Sequence, residues 1–290
     1  MDDRGQADTT PWIAADEPPA FEVVNEAGRG RAILVCDHAS RRLPRRLGTL
    51  GLSETDRARH VAWDIGAAEV ARRLSKVLDS PLILSNYSRL VIDCNRPLHV
   101  GDAFTTRSED VDVPGNMGLD AGERAGRAEA FYWPYQDAVH RLTQARVGRA
   151  KPPAMVAVHS FTPVYLGQRR PWHVGVNYRL DRRLAAPVLA TLKADGALQV
   201  GENEPYPVTL DEDYTVPVHA ETRGLPHVLF EIRQDLIADP QGQTEWARRL
   251  AAVLGAALEH PSIDGLAEPA TDVHEARYQP EPRYRKEPGS

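Results

Sequence analysis

The chain has 290 residues, 42% of them hydrophobic and 26% charged, with a formal charge of −6. This is the composition of a globular protein with a large core. The acidic balance excludes a non-specific nucleic-acid binder, which needs a basic surface to displace counterions from phosphates. In chain order, residues 1–20 are polar and proline-bearing and are expected to form a flexible tail. Short apolar runs predict strands at Ala32–Cys36, Leu82–Ser85, Leu90–Asp93, Ala154–His159, His173–Asn177 and His227–Ile232. Amphipathic spacing predicts helices over Ser53–Leu78, Asp120–Val147 and Thr244–Leu258. Lys151-Pro152-Pro153 marks the turn from the second helix into the following strand. Residues 266–290, rich in Pro, Glu and Arg, are expected to form a second flexible tail around a single domain of residues 21–265.

Strands alternating with helices predict an α/β fold, a mixed, mostly parallel central sheet between helical layers. No apolar run reaches the roughly 20 residues that span a bilayer, and the acidic start lacks the features of a signal peptide. Two cysteines cannot build a disulfide framework, so a cytoplasmic location and no membrane partner are expected.

In such folds, chemistry gathers beyond the carboxyl ends of strands. Four predicted strands end in capable residues: Asp37 and His38; Asp93, Asn95 and Arg96, with Arg89 at the start of that run; His159 and Ser160; and Glu231. A carboxylate inside an apolar strand must be paired, protonated or near a cation. Arg233, two residues on, is the structural partner available to Glu231; the functional reading is a general base beside a metal. A single strand-end histidine is usually structural, but two on one sheet make a converging pair. Zinc favours imidazole nitrogen with a carboxylate oxygen, and Asp37, Asp64 and Glu231 are the candidate carboxylates. Ser160 lacks the G-x-S-x-G setting of a nucleophile. The run Arg169-Arg170 reads as a solvated face.

Taken together, VIDCNRP, VHSFTP and LFEIRQD resemble, in the same chain order, segments of the metallocarboxypeptidases. The closer resemblance is to the N-formylglutamate amidohydrolase family, carried by CDHASRRLP, AWDIGAA, YSRLVIDCNRP, VHSFTP, ENEPY and HVLFEIRQD over about Ala32 to Leu258. The resemblance implies a zinc-exopeptidase (phosphorylase/hydrolase-like) architecture and hydrolysis of N-formyl-L-glutamate to formate and glutamate, or of a close N-acyl amino acid. One departure is plain: three residues after His38, where metallocarboxypeptidases carry a glutamate ligand, stands Arg41. The amidohydrolase-like pattern then points to Asp64, with Asp37 as the fallback. It implies Zn2+ on His38, Asp64 and His159, Glu231 as general base, and Arg89 as stabiliser of the oxyanion. Asn95 and Arg96 would hold the substrate carboxylate. Independently of the resemblance, Tyr214 and His219 stand in an expected loop before the Glu231 strand and are read as further substrate contacts that line or close the pocket. Another zinc deacylase, such as a carboxypeptidase-like enzyme, or a metal-free binding protein on the same fold are the alternatives.

Overall fold

The computed structural model describes residues 10–273. Seven strands form the central sheet: β1 (Phe21–Val24), β2 (Ala32–Cys36), β3 (Leu82–Ser85), β4 (Ala154–Phe161), β5 (Val174–Asn177), β6 (Val200–Glu202) and β7 (His227–Arg233). Their order across the sheet is β1-β3-β2-β4-β7-β5-β6. The four central strands β3, β2, β4 and β7 run parallel. β1 lies antiparallel on β3 and β5 antiparallel to β7, while β6 follows β5 in parallel. The sheet is therefore mixed and mostly parallel, as expected.

Alternation along the strands divides the core into two layers. Leu34, Cys36, Val156, Val158 and Phe230 face helices α2 (Ala67–Val77), α5 (Ala185–Ala194) and α7 (Pro240–Leu258), where Val70, Leu74, Leu189, Leu250 and Leu254 meet them. Ile33, Val35, Met155, Ala157 and Leu229 face α4 (Trp133–Val147) and the short α6 (Thr215–His219) through Tyr135, Val139, Leu142 and Val216. Both faces are covered, which is why these strands read as unbroken apolar runs. No described helix is long and apolar enough to cross a membrane.

Several expectations are corrected. The predicted helix Ser53–Leu78 is two helices. Ser53 caps α1 (Glu54–Ala58) by accepting from the Asp56 N–H, and α2 starts only after Gly66. Gly66 has φ +81°, and a Cβ there would lie 2.1 Å from the Ile237 carbonyl oxygen, so this turn needs glycine. Asp64 therefore sits in a turn, outside any helix. The predicted helix Asp120–Val147 runs as α3 (Ala121–Arg127), a π-helical turn at Ala128–Tyr132, and α4. A capping box of Asp120 and Glu123 starts it. The widened turn leads into Pro134, which has no N–H to give a regular helix.

Leu90–Asp93 is buried but forms no strand. Its backbone groups are met by side chains and turns: the Ser88 hydroxyl accepts from Leu90 N–H, Asn116 donates to the Leu90 carbonyl, and Arg127 donates to the Val91 carbonyl. Residues 10–20, expected to be loose, are packed. The Arg46 guanidinium lies 4.1 Å from the Trp12 ring, and Tyr87 donates to the Pro18 carbonyl at 2.7 Å. Residues 266–273 are also docked, with Ala267 and Ala270 N–H groups donating to Gly224 and Glu221 carbonyls. The remaining tail positions, 1–9 and 274–290, lie outside the described residues.

Candidate active site

Parallel β2, β4 and β7 deliver their carboxyl ends to one edge of the sheet. β2 leads directly into Asp37 and His38, β4 carries His159, and β7 carries Glu231. Glu231 and His159 are register partners on adjacent strands, on the face that continues Leu229 and Ala157. The Asp64 turn is tied to both neighbouring strands. Its N–H donates to the His38 carbonyl at 3.0 Å, the Ser160 N–H donates to its Oδ2 at 3.3 Å, and the Ser160 hydroxyl donates to the Ile65 carbonyl at 2.9 Å. Ser160 is thus a brace for this turn.

Three side chains from three segments converge. Nδ1 of His159 lies 2.9 Å and Nδ1 of His38 3.3 Å from the same oxygen, Oδ2 of Asp64. All three residues are buried, and their ligand atoms lie within 4.8 Å of one another. The two rings stand edge to face with centroids 5.0 Å apart. The far nitrogen of each ring has its own carboxylate: His38 Nε2 lies 2.7 Å from Asp93 Oδ1, and His159 Nε2 lies 3.2 Å from Asp37 Oδ2. Such carboxylate–histidine pairs fix the ring and present the other nitrogen to a metal ion. Asp37 is itself held by the Thr215 hydroxyl at 2.6 Å.

The electrostatics fit a cation. Asp37, Asp64 and Asp93 are buried together, with Arg89 as the adjoining guanidinium: it donates to Asp93 at 2.6 Å and lies 3.8 Å from Asp64. Burial works to raise the Asp64 carboxyl, but the two imidazoles outweigh it and hold it well below the usual range. Burial works to depress His159, but the adjoining carboxylates of Asp37 and Asp64 raise it well above an ordinary histidine. The cluster thus holds surplus negative charge, which two imidazole protons or one divalent ion can balance. The donor set, two imidazole nitrogens and one carboxylate oxygen, fits zinc.

Glu231 differs from the other acids. Desolvation pushes its carboxyl up to about 7, against the pull of His159, His38 and Arg89. Its Oε2 is buried without a hydrogen-bond partner among the described residues. Arg233 does not pair with it; that guanidinium is taken by Asp235 at 2.8 Å.

A cleft of about 300 Å³ opens over this cluster, lined by His38, Asp64, His159 and Glu231 and by the expected Arg89, Asn95 and Arg96. The Asn95 amide is largely occupied. Its Oδ1 accepts from the Tyr214 and Thr215 N–H groups, and its Nδ2 donates to Asp213. Tyr214 and His219 do not reach the cleft. α6 turns them inward, Tyr214 against the Tyr132 ring and His219 onto Gln136 Oε1 at 2.8 Å. Sequence reasoning did not place Asp93 and Asp37 here, each against the second nitrogen of a histidine. The available signal was chemical, since a metal-binding imidazole needs an acceptor for its second nitrogen.

A family model described as N-formylglutamate amidohydrolase matches residues 30–238. Among solved structures, a gene product of Agrobacterium tumefaciens is 40% identical, with a TM-score of 0.83 over 85% of this chain and 98% of that one. The N-formylglutamate amidohydrolase of Ralstonia eutropha JMP134 is 17% identical, with a TM-score of 0.66 over 83% of this chain and 98% of that one, a likeness of fold. Comparison with curated proteins finds no significant match.

Proposed function

The chain belongs to the N-formylglutamate amidohydrolase family, and we propose that it is a metal-dependent hydrolase of the N-formyl amide, or a close N-acyl amide, of an amino acid. N-formyl-L-glutamate is the reference substrate that the family name supplies. The observation that carries this reading is the convergence of His38, Asp64 and His159, each imidazole with its own carboxylate alongside, next to Glu231, whose Oε2 is buried without a hydrogen-bond partner among the described residues.

His38, Asp64 and His159 would hold the ion. When bound, a divalent cation such as zinc supplies Lewis acidity, which makes water more acidic and polarises the acyl carbonyl. Glu231 accepts a proton from the attacking water and returns it to the leaving nitrogen. The new bond is carbon–oxygen and the broken bond is the amide carbon–nitrogen, so the products are formate and a free amino acid. A carboxyl near neutrality suits both halves of that transfer. Arg89, fixed by Asp93 and lining the cleft, stabilises the developing oxyanion. Arg96 binds the substrate carboxylate, for which a planar guanidinium fork is matched. Asn95 contributes by holding the 213–215 turn behind Arg96.

The test is a panel of N-formyl, N-acetyl and peptide substrates, run on metal-loaded protein with and without a chelator. Turnover of N-formyl amino acids, lost with chelator and restored by zinc, is the expected result. Hydrolysis of peptides alone, or activity indifferent to chelation, would contradict the reading.

A further inference from the structure

Part of the cleft wall is aromatic: Phe161, Tyr165 and Tyr206 all line it. The three rings gather round one guanidinium, that of Arg170. It lies 4.5 Å from the Tyr165 ring, 4.7 Å from Tyr206 and 5.9 Å from Phe161, within the range of cation–π attraction. Arg170 is itself fixed at the base of the 164–169 hairpin, where its N–H donates to the Pro163 carbonyl at 2.9 Å. Its Nη1 is buried without a hydrogen-bond partner among the described residues.

Tyr206 ends the ENEPY segment, which turns back after β6. That turn is tied to β5: the Asn203 N–H donates to the Val176 carbonyl at 3.1 Å, and Asn203 Oδ1 accepts from the Tyr178 N–H at 2.9 Å. Gly175 on β5 is the register partner of Glu231. A Cβ at Gly175 would strike the Glu204 carbonyl oxygen and stand 3.3 Å from the Glu231 Cβ. Glycine there lets the turn close down beside Glu231, and Tyr206, two residues on, enters the cleft at that end. The Tyr206 hydroxyl donates to no acceptor among the described residues. Desolvation pushes it up to about 12, with the Arg170 guanidinium pulling the other way, so it keeps its proton at neutral pH. The charges of Glu231 and Arg89, the two groups assigned to the reacting carbon, both act on it. A guanidinium has donors only, so Arg170 cannot take that proton, which stays available to a substrate.

We infer that Tyr206 is a further catalytic residue: its hydroxyl donates a hydrogen bond to the acyl oxygen as that oxygen takes up negative charge, alongside Arg89, and Arg170 is the positioning residue that fixes its ring. This rests on the hydrolase reading above. The proton stays on the tyrosine throughout, and the transferred proton is the one Glu231 carries. Such a donor serves the oxyanion better than the neutral carbonyl, so it speeds the reaction without tightening substrate binding.

On the zinc-loaded protein, Tyr206→Phe removes the hydroxyl and keeps the ring. For N-formyl amino acids kcat is expected to fall about a hundredfold, as on loss of one oxyanion donor, with KM and metal content unchanged. Affinity for an analogue with tetrahedral phosphorus in place of the acyl carbon should fall by the same factor as kcat/KM, while affinity for the product amino acid should not change. Arg170→Lys should lower kcat by less, equally for N-formylglutamate and N-formylglutamine, and should add nothing in the Tyr206→Phe background, since the two act as one unit. A KM rise confined to the glutamate derivative would instead make Arg170 the receiver of a second carboxylate and overturn its positioning role. Full kcat in Tyr206→Phe, or a loss seen in KM alone, would reduce Tyr206 to a wall of the cleft and overturn the inference while leaving the hydrolase reading intact. Failure of the unaltered protein to hydrolyse any N-acyl amino acid would remove both.

Discussion

His159 and His219 are both buried, yet their surroundings drive them in opposite directions. His159 lies between two carboxylates, Asp37 and Asp64, at the edge of a cleft, and is raised well above an ordinary histidine. His219 meets a neutral amide, Gln136, and burial together with Arg223 and His140 pushes it well below. Gln136 in turn donates to the Cys94 carbonyl, so this second cluster ties α6 and α4 to the turn that carries Asn95 and Arg96. Burial alone therefore does not mark a histidine as chemical. An acid on each nitrogen and an opening above the ring mark His159; a neutral partner within the packing marks His219 as structural.

The sharpest way to break this contrast is to remove each ring. His159→Ala should reduce hydrolysis to background and abolish stoichiometric metal binding, read by elemental analysis and a substrate assay. His219→Ala should keep the metal and most activity per folded molecule while losing about 1–3 kcal/mol of stability in urea melts, because Gln136 loses its partner. If His219→Ala lost metal and activity while remaining fully stable, the division between the two clusters would be wrong.

Glu231→Gln comes next. A drop of roughly a hundred- to ten-thousand-fold in kcat with unchanged metal content is expected for loss of a general base. Smaller again is the effect of the orienting acids. Asp93→Asn and Asp37→Asn should each weaken metal affinity by about 10- to 100-fold in competition with a chromogenic chelator, leaving the ligands themselves in place.

The smallest effect concerns pH. His219 stays neutral in the fold and protonates near an ordinary pKa of about 6.5 when unfolded. Its contribution is complete above that value and is lost as pH falls below it, because the unfolded chain then binds the extra proton. His219→Gln should flatten the decline in melting temperature on the acid side of about pH 6.5. An unchanged slope would contradict the placement of His219.

Much of this architecture was legible in the residues. Ala32–Cys36 and Leu82–Ser85 lie where the sequence places them, because strands covered on both faces are built mostly of apolar residues. The cost of burying a polar group makes Asp37, His38, His159 and Glu231 conspicuous at or just beyond strand interiors. Leu90–Asp93 reads as a strand because an apolar run reports burial but not which groups satisfy its backbone; here the neighbouring Ser88 and the distant Asn116 and Arg127 do so. Tyr214 and His219 stand in a polar stretch that reads as a loop around a pocket, and only the docking of α6 on α4 turns them inward. Arg169-Arg170 reads as a solvated pair, yet Arg170 lies against aromatic rings that line the cleft. The roles of Asp37 and Asp93 depend on which ring nitrogen each faces, a tertiary property that no local pattern carries.

The central claim is tested most directly by measuring bound metal and turnover together on the purified protein, its Glu231→Gln form and its His159→Ala form. One equivalent of divalent ion in the first two, activity in the first alone, and neither in the third is the predicted result. Full hydrolysis by metal-free protein, or by the Glu231→Gln form, would contradict it.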